Sequence, residues 1–164
     1  MSHFVDTTKQ PDDKDIVHHD TSLGAIDASK ISLRWSSFQL YDRDHGKWSQ
    51  LRGGTLNGRK ILEQMRNRSL NANVLDYLLG HQHLIPKKWK GYRVVFWGTI
   101  YRFNKESGPS EGKEFIRCLY FYKALNKWGC DLFTIDDDTL GPDSPTAYPR
   151  QGWKDILHKI IDRL

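Results

Sequence analysis

Cysteine is nearly absent from this 164-residue chain: Cys118 and Cys130 are the only two. That is too few for the disulfide framework on which small secreted proteins depend. Their spacing matches no metal motif, and free cysteines of this kind usually serve as small apolar core residues. No stretch approaches the roughly 18 apolar residues needed to cross a bilayer, and the N-terminus lacks the apolar run of a signal peptide. The expectation is a soluble, cytoplasmic protein without a membrane partner. Also missing are a glycine-rich phosphate loop, a nucleophile elbow and a paired-cysteine metal site. No cofactor and no metal are therefore called for. Apolar residues are a modest 38% against 27% charged, so part of the chain is expected to stay outside the core of what its length makes a single domain.

Residues 1–30 are the candidate for that part. They hold six acidic residues and three lysines, and their large apolar side chains (Phe4, Ile16, Val17, Leu23, Ile26) follow no sustained period. The reading is a disordered acidic tail followed by one α+β domain over 31–164. Charge is divided unevenly beyond the tail. Residues 31–103 carry thirteen Lys and Arg against four Asp and Glu, while 104–164 carry nine against ten. The basic excess is regional, and a basic region attracts polyanions without specifying which.

The centre of the domain reads as a three-stranded antiparallel meander from about Tyr92 to Ile135. Its first strand, Tyr92 to Phe103, is rich in β-branched and aromatic residues and lacks proline. Simple alternation puts Val94, Phe96, Gly98 and Ile100 on one face and Val95, Trp97, Thr99, Tyr101 and Phe103 on the other. Both faces are apolar, so both need a covering layer. A long loop, Asn104 to Lys113, leads to a second strand over Glu114 to Tyr122. A turn near Leu125 and Asn126 leads to a third over Lys127 to Ile135, and this pairing sets Cys118 roughly opposite Cys130.

Upstream, Leu33 to Tyr41 and Lys47 to Leu51 flank the turn chemistry of Asp42 to Gly46 and suggest a hairpin. Thr55 is placed to cap a helix with Leu56, Ile61, Leu62 and Met65 inward and Arg59, Lys60, Arg66 and Arg68 outward. Asn71 is placed to cap a second helix carrying Val74, Leu75, Leu78 and Leu79 and ending at Gly80. The two are expected as a helical pair beside the sheet. Pro86 opens a short helical turn through Trp89. Downstream, Pro142, Pro145 and Pro149 mark an extended linker to an amphipathic helix whose stripe is Trp153, Ile156, Leu157, Ile160, Ile161 and Leu164. The fold expected is α+β: the meander packed with two central helices and the C-terminal helix, its other face covered by the N-terminal hairpin or by a curled, barrel-like closure.

The segments Leu75-Asp76-Tyr77-Leu78-Leu79, Leu84-Ile85-Pro86 with Trp89-Lys90-Gly91, Phe96 to Arg102, and Arg117 to Tyr120 resemble a set of short bacterial proteins with no assigned activity. The likeness spans roughly residues 70 to 135. It implies a bacterial cytoplasmic setting and a shared β-rich unit, and it transfers no site residue. The loop between the first two strands is longer here, and the final helix lies outside the resemblance.

Function is weighed between three classes. The leading expectation is a small basic accessory or regulatory protein that binds RNA or single-stranded DNA. Trp97, Tyr101, Tyr120 and Tyr122 would stack on bases, with Arg93, Arg102, Arg117 and Lys123 meeting phosphates and Arg59 and Lys60 extending the basic region. The competing assignment of those aromatics is to the core. A helix-turn-helix is disfavoured because the cations lie on the first helix and the connection lacks glycine. The second class is a non-catalytic module with a protein partner, reached through the tail, the long loop or the final helix. The third is a metal-dependent hydrolase built on His45, on the pair His81 and His83, or on Asp136-Asp137-Asp138. The histidine pair has no third ligand at a recognisable spacing, and consecutive aspartates point in different directions.

Overall fold

The computed structural model describes residues 3–34, 39–42, 47–50, 58–65, 69–103, 112–136 and 144–149. Their organising element is β7 (Val94–Arg102), every residue of which from Val94 to Tyr101 is buried. Along one edge it pairs antiparallel with β8 (Glu114–Tyr122), and β8 pairs in turn with β9 (Lys127–Thr134). This is the expected meander. Its second strand has the bounds read from the sequence, and its second connection runs through a 3-10 turn (Lys123–Leu125) to Asn126, whose φ of 47° is left-handed.

The other edge of β7 is shared by two strands. β10 (Thr146–Pro149) runs parallel to its first half through Thr146 and Val95, and β4 (Ile31–Arg34) lies antiparallel beyond β10. β2 (Ile16–His19) pairs antiparallel with its second half. β4 and β9 remain as sheet edges, so the sheet does not close into a barrel. The sequence-predicted hairpin forms over β5 (Gln39–Asp42) and β6 (Lys47–Gln50), while β4, whose end overlaps the start of the expected first arm, joins the main sheet instead.

A wide irregularity divides β7. Phe96 faces Arg117 and Ile100 faces Ile116, so Trp97, Gly98 and Thr99 stand against no residue of β8. The bulge overturns simple alternation: Ile100 shares a face with Val95 and Trp97, and Tyr101 moves to the face of Val94 and Phe96. Gly98 sits at the centre because nothing larger fits. Its N–H donates to the Leu70 carbonyl at 3.1 Å, and a Cβ there would lie 2.9 Å from both Asn71 Cα and the Ser69 oxygen.

Two cores result. One face packs Val94, Phe96, Leu119, Phe121 and Trp128 against Val74, Leu75 and Leu78 of α2 (Ala72–Gly80), with Trp89 from the 3-10 turn Lys87–Trp89. The other packs Val95, Trp97, Ile100, Ile116, Cys118 and Ile135 against Ile61 and Leu62 of α1 (Gly58–Met65). The helices therefore flank the sheet and are not the pair expected beside it, because each carries an apolar stripe suited to one of the two apolar faces.

Residues 3–30 are not a disordered tail. β1 (Phe4–Asp6) pairs with β3 (Ala25–Asp27), Val5, Ile26 and Ala28 join the α2-side core, and β2 completes the edge of β7. Strands of three and four residues offer at most one buried side chain each, too few to register as a period. Cys118 and Cys130 are free and not paired: Cys118 stands opposite Asp131 and Cys130 opposite Leu119, one step out of register and on opposite faces. Burial pushes the Cys118 thiol up to about 12, so it stays protonated. The expected C-terminal helix, Thr55, His45, Arg66, Arg68, Asp137, Asp138 and most of the loop after Phe103 lie outside the described residues.

Candidate functional site

The residues read as a nucleic-acid face are distributed over both sides of the sheet. Trp97 is 3% exposed and donates its indole N–H to Thr146 Oγ1 at 3.1 Å; Tyr101 is 4% exposed and its burial raises the phenol pKa. Neither ring is open to a base. Arg117 lies on the α2 side with Tyr101, and its guanidinium donates to both oxygens of Asp76 at 2.6 and 3.1 Å, pinning α2 to the sheet. Burial works against its charge, but the bonds to Asp76, Cys130 and Tyr101 prevail and raise its pKa.

On the α1 side, Glu114 accepts from Arg102 and from Arg59, the latter at 3.2 Å, while Arg59 also grips Asp136 at 2.6 and 3.0 Å. Asp136, first of the acidic run, is thus a counter-ion to α1, and its hydrogen bonds raise the Arg59 pKa. Lys60 belongs to α1, and its side chain lies outside the described residues. Three of the nominated arginines are therefore held by carboxylates.

Arg93, Tyr120 and Tyr122 have a different setting. They stand at the end of the sheet where β7 begins, β8 ends and β9 begins, as the pairs Val94 with Leu119 and Tyr122 with Lys127 require. Lys123, which the sequence reading set beside the aromatics, comes to the same end, as do Lys87, Lys88, Lys90 and Lys127, which it passed over. All six cations are exposed and none forms an ion pair with a described residue. Lys90 Nζ lies 3.8 Å from the Phe121 ring centroid, and the Arg93 guanidinium carbon lies 5.5 Å from that of Tyr120 and 5.1 Å from that of Phe133. Gln82 ties the preceding turn to β9 through both backbone groups of Trp128.

Two half-buried rings lie on the α1 side of this end, the face of Arg93, while Lys90 lies on the other. Tyr120 and Tyr122 meet edge to face with centroids 5.3 Å apart. Tyr122 lies across Gly129, where a Cβ would come within 2.5 Å of its ring, and its hydroxyl donates to Asp131. That bond, reinforced by burial, pushes the Tyr122 phenol up to about 12, so the ring stays neutral. Asp131 is thereby occupied by Tyr122. The signal for the missed lysines was in the sequence: a Lys-Lys-x-Lys-x-x-Arg run ahead of the first strand, and Lys127 across the second turn from Lys123. Pairing of the strands is what superimposes them.

The metal reading finds a partial counterpart. His3 comes to His81 and His83, with ring centroids 6.1 to 6.4 Å apart, and Tyr77 stacks on His81 at 4.0 Å. The His81 and His3 Nδ1 atoms lie 2.9 and 3.1 Å from the Tyr77 carbonyl and hydroxyl oxygens. Among the described residues, however, no three His, Cys, Asp or Glu side chains are placed to hold a metal ion.

No family model, curated protein or solved structure matches the chain. No helix among the described residues is long and apolar enough to cross a membrane.

Proposed function

We propose that the protein binds single-stranded nucleic acid at the basic end of its sheet. One observation carries this reading: Lys87, Lys88, Lys90, Arg93, Lys123 and Lys127 come to that end with no ion pair to a described residue, Arg93 over the Tyr120 ring on one face and Lys90 over Phe121 on the other, while Arg59, Arg102 and Arg117 are held in ion pairs. Unpaired cations release counter-ions when they meet phosphates, and a neighbouring phenol ring accepts a base of any identity. The site expected from sequence is thus reduced to Arg93, Lys123, Tyr120 and Tyr122 and enlarged by Lys87, Lys88, Lys90 and Lys127.

The test is anisotropy of a labelled single-stranded oligonucleotide, as RNA and as DNA, at low salt. Lys90→Glu with Arg93→Glu is expected to weaken binding at least tenfold, whereas Lys9→Glu with Lys30→Glu, in the N-terminal segment, leaves it within twofold. Tyr120→Ala is expected to cost about 1–3 kcal/mol, the value of one stacked base. Absence of binding by the wild type, or equal loss in both charge-reversed pairs, contradicts the reading.

A further inference from the structure

On the α1 side, far from the lysines in strand register, the β7 bulge floors a cleft of about 250 Å³. Trp97 and Gly98 form its base, Leu62 and Arg59 of α1 one wall, His18 and Asp20 of the N-terminal segment another, and Glu114 of β8 closes it. Asp20 is the unusual member. It is 8% exposed, one oxygen accepts from the Ser22 N–H at 2.9 Å, and it makes no ion pair with a described residue. Its backbone is fixed from both sides, the N–H donating to Gly98 at 2.6 Å and the carbonyl accepting from Asn71 at 2.8 Å.

A mostly buried carboxylate on the wall of a cleft, with no counter-charge among the described residues, favours a positive group that can reach it. Arg59 lines the same cleft but is committed to Asp136 and Glu114. Around the cleft, three described carboxylates (Asp20, Glu114, Asp136) face two guanidinium groups (Arg59, Arg102), which leaves one negative charge over. Apolar surface from Trp97 and Leu62 borders it. Fixed polar groups beside an apolar wall suit a small molecule with a charged end and a short apolar body.

We propose that this cleft binds a small organic monocation, a primary ammonium with a short apolar body, whose charge meets Asp20 and whose chain lies along Trp97 and Leu62. The test is a titration of the full chain with butylammonium chloride, followed by amide and indole NMR. Saturable shifts are expected at Gly98, Ser69 and the Trp97 indole N–H, with butan-1-ol and butyrate at least tenfold weaker. Asp20→Asn, which keeps an acceptor for Ser22, is expected to weaken butylammonium at least tenfold. Leu62→Trp, which fills the cleft from α1, is expected to abolish the shifts while the spectrum stays dispersed. No saturable shift at these resonances, butan-1-ol binding as well as the amine, or undiminished affinity in folded Asp20→Asn or Leu62→Trp overturns the proposal. Should Asp20→Asn fail to fold, the comparison of amine with alcohol and the Leu62→Trp variant decide it.

Discussion

Asn71 stands at the N-cap of α2, yet its side chain caps nothing. Its Nδ2 reaches the carbonyls of Thr7 and Asp20 at 2.9 and 2.8 Å and lies 3.0 Å from His19 Nε2. The helix N-terminus is instead satisfied from the bulge, where Thr99 Oγ1 accepts from the Ala72 N–H at 2.9 Å. The two carbonyls take both amide hydrogens and fix the amide orientation, and His19 Nδ1 lies 2.9 Å from Thr99 Oγ1 on the other side of the ring. Burial lowers the His19 pKa, outweighing the backbone carbonyls of Thr7 and Lys9 that favour its charge. The folded state thus favours the neutral ring, and the unfolded chain binds the extra proton. Stability from this site is complete above about pH 6.5, the ordinary histidine value, and is lost as pH falls through it toward the lowered folded value. Urea midpoints measured from pH 8 to 5 are expected to fall, and His19→Gln is expected to flatten that fall; a midpoint rising on acidification contradicts the assignment. At Gly98, where a Cβ has only 2.9 Å to backbone atoms, Gly98→Ala is expected to cost about 1–3 kcal/mol in urea unfolding.

At the scale of elements, the N-terminal segment belongs to the fold. It contributes Val5, Ile26 and Ala28 to one core, an edge strand to β7, and the carbonyls that satisfy Asn71. Removing residues 1–30, which a tail would tolerate, is expected to cost more than about 3 kcal/mol or to abolish cooperative unfolding followed by circular dichroism. An unchanged midpoint contradicts this placement. The difference from the sequence reading has a physical origin. β8 was legible because nine successive residues repeat one pattern, whereas β1, β2 and β3 each rely on partners supplied by distant chain. The same holds for the bulge. Gly98 marks a weak point in β7 by composition, but only the approach of Ser69 to Asn71 makes three residues leave the ladder there.

Over the whole molecule, charge is sorted. At one end of the sheet Glu114 and Asp136 neutralise Arg59 and Arg102; Asp76 neutralises Arg117 on the α2 face; at the other end five lysines and Arg93 form no ion pair with a described residue. Regional basicity was visible in the sequence, but which cations remain free was not, since Arg59 and Asp136 are separated by 77 positions and Arg117 and Asp76 by 41. Aromatic content was visible too, yet the bulge puts Trp97 in the α1-side core and buries Tyr101 on the opposite face, while Tyr120 and Tyr122 stay half-buried on the face of Arg93. The salt dependence of oligonucleotide binding tests the account most directly. With six cations engaged, the logarithm of the affinity is expected to fall against the logarithm of salt concentration with a slope of about −4 for a single strand, and with a slope shallower by about 1.4 in Lys90→Glu with Arg93→Glu. A slope near zero, or one the double variant leaves unaltered, would contradict a nucleic-acid site at this end of the sheet.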